Sequence, residues 1–133
     1  MVKIIMGLKG TGKTKTLIEK VNASAAEEQA IWFGMSPSKL PAVAGDTVDI
    51  LFQLNINDYQ GFYGFICGII AGNFDITDIY IDSITKICGR NENMDDLSKF
   101  IEAIDKLTEH INITMTVSYD TQYAPEFIKA HIV

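Results

Sequence analysis

The sequence predicts an α/β domain: one mainly parallel sheet of about five strands in a three-layer αβα arrangement. Three observations predict it. Short apolar runs rich in β-branched residues alternate with longer segments in which apolar residues recur every three or four positions. Parallel strands need crossover connections, which are usually helices, so the alternation argues for a parallel sheet covered on both faces. At about 100–200 residues per domain, a chain of 133 residues supports one core but not two, so 1–133 is read as a single domain. With 47% hydrophobic and 21% charged residues, the composition excludes a disordered, collagen-like or low-complexity chain.

Val2, Ile4, Ile5 and Met6 form an apolar run closed by Gly7, which reads as a buried strand over 2–6. A glycine-rich turn follows, and over 13–27 Leu17, Ile18, Val21 and Ala25 recur at helical spacing. Residues 30–33 read as a second strand, and 36–41, with two of the three prolines, as an irregular surface connection. A third strand is predicted over 47–54, a helix over 59–73 and a fourth strand over 76–82. Asn93 then caps an amphipathic helix whose apolar face is Met94, Leu97, Phe100, Ile101, Ile104 and Leu107. Asp95 and Asp96 suit its positive N-terminal end. The last strand, over 111–118, alternates Ile111, Ile113, Met115 and Val117 with Asn112, Thr114, Thr116 and Ser118, where a central parallel strand usually reads apolar throughout. The tail over 124–133 is ambiguous between helix and strand.

Gly7-Leu8-Lys9-Gly10-Thr11-Gly12-Lys13-Thr14 matches the pattern G-x-x-x-x-G-K-[ST] in full. With Gly and Lys at about 6–7% each, chance gives such a match in about half a per cent of chains this long. This one falls where a predicted strand ends and a helix begins. The chemistry requires that arrangement, because glycines let the backbone curl until successive N–H groups point at phosphate oxygens, and the helix N-terminus adds positive potential. The candidate nucleotide-binding residues are therefore Gly7, Leu8, Lys9, Gly10, Thr11, Gly12, Lys13, Thr14 and Lys15. Lys13 is expected to reach the β- and γ-phosphates and the Thr14 hydroxyl to hold Mg²⁺. Mg·ATP sites of this kind usually add an acidic residue at the end of a neighbouring apolar strand, and Ile79-Tyr80-Ile81-Asp82 supplies Asp82 as the second metal candidate. The plainer reading of Asp82 is a cap on the following turn.

The Gly10-Thr11-Gly12-Lys13-Thr14 core, the Ile81-Asp82-Ser83-Ile84-Thr85 segment, the amphipathic helix after it and a strand ending Val117-Ser118 together resemble the core of RecA/KaiC-type P-loop ATPases. The resemblance covers nearly the whole chain in element order and is specific in the first two motifs. It implies a P-loop NTPase core with RecA-like strand order, in which the strand ending at Ser118 lies between the P-loop strand and the Asp82 strand. It also implies that Ser118 sits near the γ-phosphate as a polar sensor, so that Lys13, Asp82 and Ser118 are the candidate catalytic residues. The chain further resembles small bacterial P-loop proteins sometimes labelled twitching-motility or pilus-retraction ATPases. The histidine-bearing motifs of true retraction motors have no counterpart, the only histidines being His110 and His131.

Departures from that pattern bear on turnover. RecA-type enzymes orient the attacking water with a glutamate just after the second strand, and related AAA-type enzymes place it directly after the metal aspartate. Here those places read Gly34-Met35-Ser36 and Ser83, so hydrolysis is expected to be slow at most. Asp120 is an alternative base, though a loop Asp is more often a turn former. Arg90, the only arginine, is an arginine-finger candidate on a loop where a solvated side chain is the simpler reading. Lys9 does not follow the first glycine directly, which disfavours the ParA-type loop.

Gly61, Gly64, Gly68 and Gly72 make one bare stripe on the 59–73 helix. Each glycine costs a helix interior about 1 kcal/mol relative to alanine, so the stripe implies either close approach to the sheet or a helix contact in a homo-oligomer. Trp32, Phe33, Phe52, Phe74 and Tyr80 are read as core, while Tyr59, Tyr63, Tyr119 and Tyr123 are candidates to stack on a base. A net charge of −6 argues against nucleic acid as the main partner. Cys67 and Cys88 lack a CxxC spacing and read as reduced thiols of a cytoplasmic chain. The apolar stretch 61–72 is too short for a membrane span, which needs about 20 residues. The leading expectation is a Mg·ATP-binding module with weak ATPase activity. The alternatives are a non-enzymatic nucleotide-dependent interaction protein with an unknown protein partner and, less favoured with one arginine, a small-molecule kinase.

Overall fold

Alternating strands and helices assemble, in a computed structural model that describes residues 1–24, 30–34, 48–52, 56–88, 94–107 and 109–133, into a single five-stranded sheet. The order along the chain is β1 (Val2–Gly7), α1 (Lys13–Ser24), β2 (Ala30–Gly34), β3 (Val48–Phe52), α2 (Tyr59–Gly72), β4 (Asp78–Ile81), α3 (Ile84–Ile87), α4 (Met94–Leu107), β5 (Asn112–Ser118), a 3-10 turn (Thr121–Tyr123) and α5 (Glu126–Lys129). Every strand pair is parallel and the sheet order is β1-β5-β4-β2-β3. The strand ending at Ser118 thus lies between the loop-bearing strand and the Asp82 strand, as the resemblance implied. Residues Arg90, Met35, Ser36, Asn93 and the segment 36–41 lie outside the described residues, as do the predicted strand and helix ends at 25–27, 47 and 54.

Side chains that alternate along each strand feed two apolar layers. On one face Ile4, Phe33, Ile79, Ile81, Ile113 and Met115 meet Phe62 and Ile66 of α2 and Leu97, Ile101 and Ile104 of α4. On the other, Trp32 and Tyr80 meet Leu17 and Val21 of α1. The polar alternation of β5 does not mark a solvent face, because Thr114 is 5% and Thr116 1% exposed on the side that α1 covers. The predicted apolar face of α4 is buried through Ile104, while Leu107 in the last turn is 41% exposed. Asp58 caps α2 by accepting the Gly61 N–H at 2.6 Å.

Two expectations are overturned. The glycine stripe does not approach the sheet: α2 turns Phe62 and Ile66 inward, and a Cβ built at Gly64, Gly68 or Gly72 meets nothing within 4 Å among the described residues. Phe74, one residue past the Asn73 cap, is not core but 93% exposed, whereas Trp32, Phe33 and Tyr80 are buried. The side chain of Phe52 lies outside the described residues. The tail uses both of its possible conformations. After α5, Ile132 forms a single parallel bridge to Ile4 on the free edge of β1, with Ile4 N–H donating to the His131 carbonyl and Val133 N–H to the Ile4 carbonyl. Among the described residues no helix is long and apolar enough to cross a membrane.

Candidate functional site

The carboxyl ends of β1, β5 and β4 converge on the loop between Gly7 and Lys13. Gly10 and Gly12 carry φ of +83° and +82°, a region that L side chains rarely adopt, and this lets the short loop reverse from strand to helix. The loop closes around one acceptor. The Leu8 carbonyl takes the Thr11 N–H at 3.3 Å, the Thr11 hydroxyl at 2.7 Å and the Lys13 ammonium at 2.8 Å. The first intrahelical bond of α1 runs from Thr16 N–H to the Gly12 carbonyl, so the N–H groups of Lys13, Thr14 and Lys15 precede it at the positive helix end. Burial pulls the Lys13 pKa below its ordinary value, the Asp82 carboxylate offsets part of this, and Lys86 acts with burial.

Asp82 follows β4 and is 6% exposed. Its backbone N–H donates to the Phe33 carbonyl of β2 at 2.9 Å, fixing the residue at the sheet's edge. Its carboxylate accepts the Thr14 hydroxyl, 3.0 Å from Oδ1 and 3.3 Å from Oδ2, and the Thr116 hydroxyl at 2.9 Å. Loop and strand candidates 68 residues apart are therefore brought together. A carboxylate and a hydroxyl are hard oxygen donors, the kind Mg²⁺ takes, and this ion keeps most of its sites for phosphate and water. Among the described residues no group of three His, Cys, Asp or Glu side chains is placed to hold a metal by itself.

Ser118 is exposed at the end of β5, in register with Gly7, and the next residue's N–H donates to the Gly7 carbonyl at 3.0 Å. This puts Ser118 at the rim of the loop. The side chains of Leu8, Lys9 and Lys15 are exposed around it. A cavity of about 380 Å³ opens between Gly7, Leu8, Thr11 and Lys13 on one wall and Asp120 and Thr121 on the other. Asp120 also accepts the Gln122 N–H at 3.0 Å, the turn-forming role anticipated for it. A separate cleft of about 410 Å³ between α2 and α4 holds Tyr59 and Tyr63 and shares no lining residue with the loop cavity, which removes these two tyrosines from the loop's surroundings. Tyr123 is 69% exposed and Tyr119 half-buried against the core.

Of the places that carry a glutamate in the resembling families, Gly34-Met35-Ser36 and Ser83, only Gly34 and Ser83 lie among the described residues. Gly34 is buried, and a Cβ there would lie 2.7 Å from the Trp32 indole nitrogen. Ser83 adopts φ 60°, ψ 57°, and its N–H donates to the Thr116 hydroxyl at 2.7 Å. Thr116 was missed by sequence reasoning. The signal that could have found it was the polar alternation of a strand already assigned to the sheet's centre.

Protein-family models and curated proteins give no match to this chain. The fold recurs in 192 solved chains, so it alone specifies no activity. One of them, described as an ATPase domain, superposes with a TM-score of 0.66 at 8% sequence identity, over 91% of this chain and 58% of that one. This chain therefore spans a little over half the length of that neighbour, and the likeness is one of fold: a RecA-like P-loop core.

Proposed function

We propose that this chain binds Mg·ATP through the Gly7–Lys15 loop and hydrolyses it slowly at most. One observation carries the reading: the Thr14 hydroxyl stands 3.0 Å from the Asp82 carboxylate in front of a loop with two positive-φ glycines. Lys13 exchanges its bond to the Leu8 carbonyl for the phosphates, backbone N–H groups cradle them, and Thr14 and Asp82 hold the metal, with Ser118 beside the terminal phosphate. The bound ion supplies neutralisation of phosphate charge. The description of the fold neighbour, an ATPase domain, agrees with ATP as the nucleotide.

Slow turnover follows from the sequence at Gly34-Met35-Ser36 and at Ser83, where no acidic residue offers a base for water. The same observation favours a second reading, a non-enzymatic module whose nucleotide state is read by a protein partner or another copy of the chain, in the cytoplasm. Thermal denaturation tests the shared part. A nucleotide at 100 times its Kd adds about 2.7 kcal/mol, roughly 10 °C for a domain of this size. Wild type should show that shift with Mg·ATP and Lys13→Ala should lose most of it; equal shifts would remove the loop from the site.

A further inference from the structure

We infer that Thr116 is the positioning residue that sets the Asp82 carboxylate for its metal, an inference resting on the nucleotide reading above. Thr116 is 1% exposed, and its single hydroxyl makes two bonds, donating to Asp82 Oδ1 at 2.9 Å and accepting the Ser83 N–H at 2.7 Å. A buried hydroxyl in a strand centre costs desolvation unless both roles are filled, and here both are. Asp82 has a second hydroxyl partner, Thr14, which is itself a metal candidate. If Thr14 gave its oxygen to a cation, its O–H would have to turn away from the carboxylate. Thr116 lies on the neighbouring strand, under α1, and keeps its bond. It is the contact that holds the carboxylate rotamer while the Thr14 bond is surrendered, as an outer partner orients a metal ligand.

The Ser83 N–H extends the clamp. Ser83 is the one non-glycine residue with positive φ among the described residues, in a conformation that costs L residues free energy. Bonding to Thr116 aims that N–H inward and starts α3, so one hydroxyl fixes both the carboxylate and the turn behind it.

The test compares Thr116→Val, which keeps shape and loses the hydroxyl, with Thr116→Ser, which keeps the hydroxyl, and with Thr114→Val as a control on the same buried face. Two readouts are taken: the Mg²⁺ concentration giving half of the ATP-induced thermal shift, and hydrogen exchange of the Ser83 amide without ligand. Thr116→Val should raise the Mg²⁺ midpoint about tenfold and expose the Ser83 amide while leaving metal-free ATP binding unchanged. Thr116→Ser should stay within about threefold of wild type, as should Thr114→Val. A wild-type midpoint in Thr116→Val overturns the inference, and so does an equally protected Ser83 amide. If Thr116→Val does not fold, Thr116→Ser decides: a midpoint raised about tenfold although the hydroxyl is kept, or a Ser83 amide left unprotected, overturns it. A wild-type chain blind to Mg·ATP defeats the nucleotide reading instead, and the Ser83 amide still decides the clamp.

Discussion

Lys13 and Gly12 show how the loop depends on single residues. The Lys13 ammonium donates to the Leu8 carbonyl, a bond that ties the end of the loop back to its start and that the proposed phosphate contact would replace. Gly12 at φ +82° has open space around a built Cβ, so Gly12→Ala is penalised by backbone conformation and not by collision. The left-handed region costs about 1–2 kcal/mol for an L residue. Gly12→Ala should therefore lower the melting temperature of the free protein by several degrees and weaken nucleotide binding, measured by thermal denaturation and titration. A variant as stable as wild type would mean that the loop relaxes to another conformation. The loop and Asp82 were legible in the sequence because their chemistry is local: a run of eight residues and an apolar strand closed by a carboxylate. Thr116 was not, since its partner lies 34 residues away in sequence and only strand pairing brings them together.

At the scale of elements, α2 is where pattern and structure part. Four glycines in register imply packing, but periodicity reports that a stripe exists and not which way it faces. Phe62 and Ile66 take the sheet side, and the glycines at 64, 68 and 72 are left outward. With solvent on that face, Gly64→Ala and Gly68→Ala should each stabilise the protein by up to about 1 kcal/mol, the helix propensity difference. Loss of stability in the isolated chain would show that the stripe is covered. The four-residue α3 escaped notice because one turn carries no period to detect. It ends at Cys88, whose thiol burial and the nearby Asp58 charge push up to about 12. A folded-state pKa raised this way favours the neutral thiol, so the contribution to stability is complete below the ordinary thiol value and is lost as pH climbs towards 12. At pH 8 a thiol reagent should label the half-buried Cys67 well before Cys88, read by mass spectrometry; equal rates would contradict the packing of α3 against the core.

Across the whole molecule, the α/β class and the number of strands followed from alternation alone, because the periods of strand and helix differ along any sequence. The strand order did not. It came from resemblance, and the pairing of β5 with both β1 and β4 bears it out. That insertion matters for function: it sets Gly7, Ser118, Thr116 and Asp82 along one sheet edge, so the loop and the carboxylate share a site although β1 and β4 are not neighbours in the sheet. The sequence at the two places where the resembling families carry a glutamate, Gly34-Met35-Ser36 and Ser83, holds no acidic residue. Gly34 cannot carry a side chain without displacing Trp32, and at Ser83 it is the backbone N–H, not the side chain, that bonds Thr116. Phosphate release by the isolated chain should accordingly stay well below about one turnover per second, the low end of ordinary enzymes; a fast, Lys13-dependent rate would reveal a base supplied from elsewhere in the fold.

The most direct test of the account is a calorimetric titration of ATP into wild type and Lys13→Ala, each with Mg²⁺ and with a chelator. The account predicts saturable binding to wild type in Mg²⁺, about tenfold weaker without the metal, and little binding to Lys13→Ala in either condition. Absence of binding to wild type, or equal affinity in the Lys13→Ala protein, would contradict it.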